Sequence, residues 1–274
     1  MQAELEKLNH LPVGSLSFND QQITFMQNNV GNLDPYLRDD LIYSLFSRGF
    51  EENAFTQHQQ KTIVDSFIQD KNLFKNIDSD NNDFIFLRSF SALLGAIILD
   101  KDNKTPFLTQ EQRLTMFIWS IEYLKKETDY RGFVANKGWA HGIAHGSDFL
   151  GTTLQHKLAT ENITVDQALN IIPKIFQRIN MPFLDEEEAR LAYAFYLGLK
   201  SDNISVKSFN NFIISFDKQL WRNYTPTNLS STYQLNTWLH LLEHWFFFIT
   251  GKIDTKKILK QRINNYYNKM GFEL

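Results

Sequence analysis

Apolar side chains recur along most of this chain at the three- and four-residue intervals of an amphipathic helix. One such stripe contains Leu37, Leu41 and Leu45, and similar stripes follow as far as the C-terminal region. No window shows the sustained alternation of apolar and polar residues that is typical of a half-buried strand. The pattern therefore predicts an all-α protein of about twelve helices and no substantial sheet.

Capping residues predict where several of these helices begin. Thr109 and Thr164 each precede an apolar stripe and can accept a hydrogen bond from the first turn of a helix. Asp185 is predicted to cap a helix with an acidic first turn, which the helix dipole favours. Another predicted helix spans residues 165–178 and contains Pro173, so we expect a kink there.

Basic side chains recur about every 50 residues, and the arginines among them lie near the starts of predicted helices. This period is close to that of two-helix repeats of the HEAT kind. The series is Arg38, Arg88, His141, Arg190 and His240. The sequence therefore predicts one domain, residues 1–274, in which paired antiparallel helices form a HEAT-like α-solenoid. The second helices of the pairs are expected near residues 35–48, 82–101, 137–156, 185–200 and 230–250. They would line a concave face and gather the series, with His145, in one polar groove.

Composition narrows the class of protein further. The 274 residues carry a net charge of −3, which gives no sign of binding to nucleic acid or to a membrane surface. Cysteine is absent, so disulfides, thiol catalysis and cysteine-ligated metal sites are excluded. The N-terminus has no apolar block of the signal-peptide kind, and the longest apolar run, 84–99, is too short to span a bilayer. We expect a cytoplasmic protein with neither nucleic-acid nor membrane partners.

The most unusual stretch of the chain spans residues 137–148. His141 and His145 are four residues apart, Asp148 follows, and on a helix the three side chains would share one face. Two histidines at this spacing are typical of zinc sites, although Gly142 stands where zinc proteases carry a glutamate. The alternatives are a site for a polar or anionic ligand and a structural hydrogen-bond network.

Glycines within the same stretch suggest a close approach to the predicted helix. Gly142 and Gly146 would occupy a neighbouring face, where another backbone or a ligand can come near. Each glycine costs a helix about 1 kcal/mol relative to alanine, so a local reason for both is expected.

Charged and aromatic side chains extend this candidate site. The predicted ligand-binding residues are Arg38, Asp39, Arg88, Trp139, His141, His145, Asp148, Glu187 and Arg190. The arginines could offer planar guanidinium groups to a carboxylate or phosphate, or they could form ion pairs between successive repeats. Arg88 lies in an apolar run and needs a partner, for which Asp39 is a candidate. Trp139 either stacks on a ligand or packs between helices.

A second candidate metal site lies near the C-terminus. The segment from His240 to His244 matches the inverted zinc motif His-x-x-Glu-His, with Glu243 as the glutamate. A pattern with only three fixed positions is weak evidence for a metal site. The aromatic run that follows favours the alternative of a buried helix whose polar edge carries both histidines.

Three segments together resemble a known family. They are Leu37-Arg38-Asp39, Arg88-Ser89-Phe90 and the block from Lys137 to Asp148, whose Gly-Trp-Ala-His…Ala-His…Asp pattern is the most specific. With them the chain resembles the bacterial domain-of-unknown-function family numbered 2785. The resemblance implies an all-helical, HEAT-like fold and a cytoplasmic bacterial protein. It implies no activity.

Three functions remain open at this point. The first is a binding module for a small polar or anionic ligand, or for a partner peptide. The second is a metal-dependent hydrolase in which His141, His145 and Asp148 hold a divalent metal such as zinc, either alone or together with His240 and His244. Its general base would be Asp39, Glu187 or Glu243. The third is a structural scaffold that binds no ligand.

Overall fold

The computed structural model describes residues 1–79, 82–160 and 162–272, and nearly all of its regular structure is helical. The α-helices are α1 (Gln2–Asn9), α2 (Asp20–Asn28), α3 (Ser44–Glu51), α4 (Gln57–Asp70), α5 (Phe84–Lys104), α6 (Gln110–Lys126), α7 (Gly142–Gln155), α8 (Val165–Leu169), α9 (Ile171–Phe176), α10 (Glu187–Lys200), α11 (Val206–Asn223), α12 (Leu229–Phe248) and α13 (Ile253–Lys269). A π-helix (Tyr36–Tyr43) runs into α3, a 3-10 turn covers Asn72–Phe74, and the strands are β1 (Phe133–Val134) and β2 (Gly138–Trp139). The predicted all-α fold is confirmed.

The helices pack as two sets of neighbours. In one set α3 contacts α5, α5 contacts α7, α7 contacts α10, and α10 contacts α12. In the other set α2 contacts α4, α4 contacts α6, and α6 contacts α9. One connected cluster of buried apolar side chains extends from Leu5 to Leu259. This neighbour order is compatible with helix pairs, while the solenoid path and the single domain stay predictions.

Within the described part of the chain, every helix is too short or too polar to traverse a bilayer.

Local capping signals act as predicted at two helix starts. The hydroxyls of Thr109 and Thr164 each accept the backbone N–H three residues later, and the glutamine there accepts the N–H of the threonine. The helix predicted over 165–178 is interrupted at Asn170. Pro173 explains the interruption because it lacks an N–H and its ring would collide with the carbonyl of Leu169, four residues earlier.

Helix α7 begins later than the sequence predicts. Gly142 is its first residue, and His141 is the N-cap, with a left-handed backbone at φ +45°. The preceding residues form the short antiparallel hairpin, in which Trp139 pairs with Phe133. Ala140 is completely buried beside Phe86 and fastens the hairpin to α5. The prediction that His141 shares one helix face with the later polar residues is therefore wrong.

The two glycines of α7 make room for neighbouring elements. A Cβ on Gly146 would lie 2.6 Å from the ring of Tyr123 on α6. A Cβ on Gly142 would lie 2.9 Å from the carbonyl oxygen of Asp129. Both positions are thus filled by protein atoms, so the glycines serve helix packing. The expected close approach is that of the neighbouring chain.

Candidate functional site

Three metal-ligating side chains meet where α7 and α10 begin. One donor atom each from His141, Asp185 and Glu187 lies within 4.8 Å of the other two. His141 directly precedes α7, while Asp185 and Glu187 lie on either side of Glu186, the N-cap of α10, so that Glu187 is the first residue of that helix. Helices α7 and α10 pack against each other, and the meeting of these three side chains places their N-terminal ends together. This group is the candidate metal centre.

Backbone donors hold both carboxylates of the candidate metal centre. Asp185 Oδ2 accepts the backbone N–H of Phe133 at 3.0 Å, and Glu187 Oε2 accepts the backbone N–H of Asp185 at 3.0 Å. A Cβ on Gly132 would lie 1.8 Å from Asp185 Oδ2, so only glycine allows the carboxylate so close to the hairpin. Asp185 is thus a site residue, whereas the sequence predicts it only as a cap; the N-cap is Glu186.

Two donor atoms of the centre have no hydrogen-bond partner among the described residues. They are Glu187 Oε1 and His141 Nε2, and both atoms are buried. The side chain of Glu187 is only 1% exposed, and burial raises the pKa of its carboxyl group. For the His141 ring, whose charged form is the protonated one, burial lowers the pKa. Polar atoms left unpaired in the interior are costly and rare in folded proteins, and here two of them belong to residues of the candidate metal centre.

The backbone is strained at both helix starts that form the centre. His141 has φ +45° and Glu186 has φ +64°, and neither is a glycine. Left-handed backbone at such residues costs about 1–3 kcal/mol each and is concentrated at functional sites. Both left-handed residues are N-caps, of α7 and of α10, and so stand where the candidate metal centre forms.

His145 lies behind His141 and is almost completely buried. Its ring stands edge-on to the ring of His141, with centroids 5.4 Å apart, and edge-on to Phe90 at 5.0 Å. Burial, followed by the charges of neighbouring basic groups, lowers the pKa of His145 well below its ordinary value. His145 is therefore a neutral ring that supports His141. It does not join the metal-ligating group among the described residues.

Asp148 is committed to a different partner. Its Oδ2 accepts a hydrogen bond from Arg190 at 2.6 Å, across the contact between α7 and α10. Burial raises the pKa of the Asp148 carboxyl group, and the nearby guanidinium opposes that shift. The structure thus separates Asp148 from the metal set predicted with His141 and His145. The side chain of Arg190 is half exposed and keeps further N–H groups toward solvent.

Arg38 acts as a structural clamp on the hairpin. Its side chain is completely buried and lies over the rings of Phe86 and Phe90, 4.6 Å from each centroid. It donates a hydrogen bond to the carbonyl of Lys137 at 2.7 Å and forms an ion pair with Asp39 at 2.7 Å. These contacts fasten the π-helix to the turn before β2. They leave Arg38 no surface from which to bind a groove ligand.

Arg88 is also completely buried, and its partner is Glu127 rather than the predicted Asp39. The two side chains form a bidentate pair with N–O distances of 2.7 and 2.9 Å. Glu127 also accepts the backbone N–H groups of Thr128 and Asp129, each at 3.0 Å. Arg88 thus fixes the segment that leads into the hairpin and presents no group to a ligand at the surface.

The C-terminal histidine pair does not form the predicted zinc site. His240 Nδ1 lies 3.2 Å from Glu188 Oε1, while His244 stacks on Phe248 one turn later. Glu243 accepts a hydrogen bond from Tyr267 at 3.0 Å. Within the described ranges, these side chains belong to no group of three metal-ligating residues. They are the polar edge of α12.

An aromatic and apolar rim borders the candidate metal centre. The ring of Trp139 stacks on His141 with a centroid distance of 4.3 Å and an interplanar angle of 25°. Phe133 meets Trp139 edge-on at 5.0 Å. Trp139 is 40% exposed and Phe133 is 58% exposed. Leu184, directly before Asp185, is 75% exposed. Trp139 is therefore both a support for His141 and an open surface.

The comparison with family models supplies one match. The model described as "Protein of unknown function (DUF2785)" matches residues 73–247 of this chain. The matched part contains His141, Asp185 and Glu187, and it confirms the resemblance that the Lys137–Asp148 block indicates. No curated protein and no solved structure matches the chain.

Proposed function

The chain belongs to the DUF2785 family, and we propose that it is a binding protein that works through a divalent cation held by His141, Asp185 and Glu187. The observation that carries the proposal is the pair of buried, unpartnered atoms, Glu187 Oε1 and His141 Nε2. A cation that both atoms coordinate would satisfy them at once and compensate the carboxylate charge.

The donor set defines the class of cation. One imidazole nitrogen with carboxylate oxygens suits zinc, manganese or ferrous iron better than calcium, which takes oxygen ligands. Three protein donors leave coordination positions open, as in metal sites that bind water or a ligand directly. A polar ligand would therefore bind through an oxygen atom on the cation. The other ligand groups would contact the rim.

The open coordination also supports a metal-dependent hydrolase as a second candidate. Three protein ligands with a water in the fourth position are typical of catalytic zinc sites, where the metal lowers the pKa of that water. Metal-loaded protein would then cleave simple ester or phosphoester substrates, and the Glu187→Gln variant would not. If the metal-loaded protein binds ligands but cleaves none of these substrates, the hydrolase is ruled out and the binding function is supported.

The test is metal binding by untagged protein that has been stripped with a chelator. Calorimetric titration with zinc or manganese should give one site per chain, and saturation should raise the melting temperature. At a free metal concentration of about 100 times Kd, the stabilisation is about 2.7 kcal/mol. Glu187→Gln should lose this stabilisation. Without metal it should be no less stable than the wild type, because it replaces a buried carboxylate with a neutral amide whose oxygen can still accept the Asp185 N–H.

Glu186→Gln is the matched control because Glu186 is adjacent, acidic and exposed. It should bind metal as the wild type does. Failure of the wild type to bind either metal, or equal binding by the Glu186 and Glu187 variants, would overturn the proposal.

A further inference from the structure

The rim of the candidate metal centre exposes large apolar side chains to solvent. Phe133 and Trp139 face each other across the hairpin, and both rings are partly open to solvent. Leu184 directly precedes Asp185 on the segment that leads into α10, and three quarters of its surface is exposed. Large apolar side chains gathered next to a polar centre mark ligand or partner sites.

The hairpin holds the two rings in place independently of any ligand. Strand pairing aligns Phe133 with Trp139, and the Phe133 N–H donates to Asp185. The Trp139 ring is further supported by its stacking on His141. The rim is therefore rigidly coupled to the metal-ligating residues, which lowers the entropy cost of binding a flat group there.

A positive group lies on another side of the same centre. The half-exposed guanidinium of Arg190 is held by Asp148 through one nitrogen. Arg190 follows Glu187 by three residues on α10, so the two side chains are neighbours on one face of that helix. A ligand oxyanion on the cation would thus find a second partner in Arg190.

We infer that the ligand of this site is a small aromatic or heteroaromatic oxyanion. Its oxygen atoms bind the cation beside Arg190, and its ring packs on the Trp139–Phe133 pair. The inference rests on the proposed metal site. The ring pair of Trp139 and Phe133 offers a contact surface that matches one planar ring. A stable protein interface buries more than about 1,000 Å² in total, so a small molecule fits this rim better than a protein partner.

Two chelating probes with the same head group isolate the contribution of the ring. They are acetohydroxamate, which has no ring, and benzohydroxamate, which has one. With metal-loaded wild type, benzohydroxamate should bind about tenfold more tightly, since an aromatic contact and its buried area are worth about 1.4 kcal/mol together. In Trp139→Ala the preference for benzohydroxamate over acetohydroxamate should fall below about twofold; the ratio is the readout because both probes share any change at the metal itself.

Control variants separate the contributions of rim, fold and metal. Phe247→Ala removes an exposed aromatic side chain on α12 and should keep the full preference for benzohydroxamate. Phe133→Ala should also reduce the preference, which provides the test if Trp139→Ala does not fold. Equal binding of the two probes by metal-loaded wild type would overturn the inference, as would binding of neither. In both cases, the proposed metal-dependent binding function would still be supported as long as the protein binds the metal. Absence of metal binding would overturn both.

Discussion

The buried pair between Arg88 and Glu127 provides a direct test of how the hairpin is held. Both side chains are completely buried, and two N–O contacts of 2.7 and 2.9 Å join them. Hydrogen bonds to charged groups contribute about 1.5–3 kcal/mol each. Glu127→Gln keeps one acceptor for the backbone but leaves the guanidinium without a counter-charge. We expect its free energy of unfolding to fall by about 3–5 kcal/mol.

Urea unfolding followed by circular dichroism measures this loss. The double variant Arg88→Met/Glu127→Met should lose much less than the sum of the two single variants, because no unpaired charge stays buried. Asp100→Asn is the control, since Asp100 pairs with Lys104 at the surface and should cost less than about 1 kcal/mol. A loss below 1 kcal/mol in Glu127→Gln, or additive single losses, would refute the reasoning.

Two further predictions concern the helices around the site. Gly146→Ala should lower the free energy of unfolding by about 1–3 kcal/mol despite the better helix propensity of alanine, because the new methyl group meets the Tyr123 ring at 2.6 Å; urea unfolding measures it. Burial opposes ionisation of Asp102, but hydrogen bonds from His156, Arg113 and two backbone N–H groups outweigh it and lower its pKa. A lowered pKa stabilises the folded state above the unfolded value and loses this effect as pH falls, so the stability advantage of wild type over Asp102→Asn should shrink below pH 3.8. An advantage that is constant over pH would contradict this assignment.

The sequence predicted the local features well because they depend on neighbours along the chain. Apolar periodicity indicated helices, and the hydroxyls of Thr109 and Thr164 indicated two starts that the structure has. The start of α7 was misjudged since a left-handed residue at His141 is set by contacts of the hairpin with α5. Backbone strain of this kind leaves no periodic signal.

The site illustrates the same division. By itself the sequence determined that the chain is helical, that residues 137–148 are unusual, and that His141 and Glu187 are candidate ligand residues. It grouped His141 with His145 and Asp148, because spacing within one helix was the only geometry available. The tertiary structure alone decided that Asp185 joins His141 and Glu187. That choice depends on how α7 packs against α10, and long-range packing is set by the complementarity of whole helix faces.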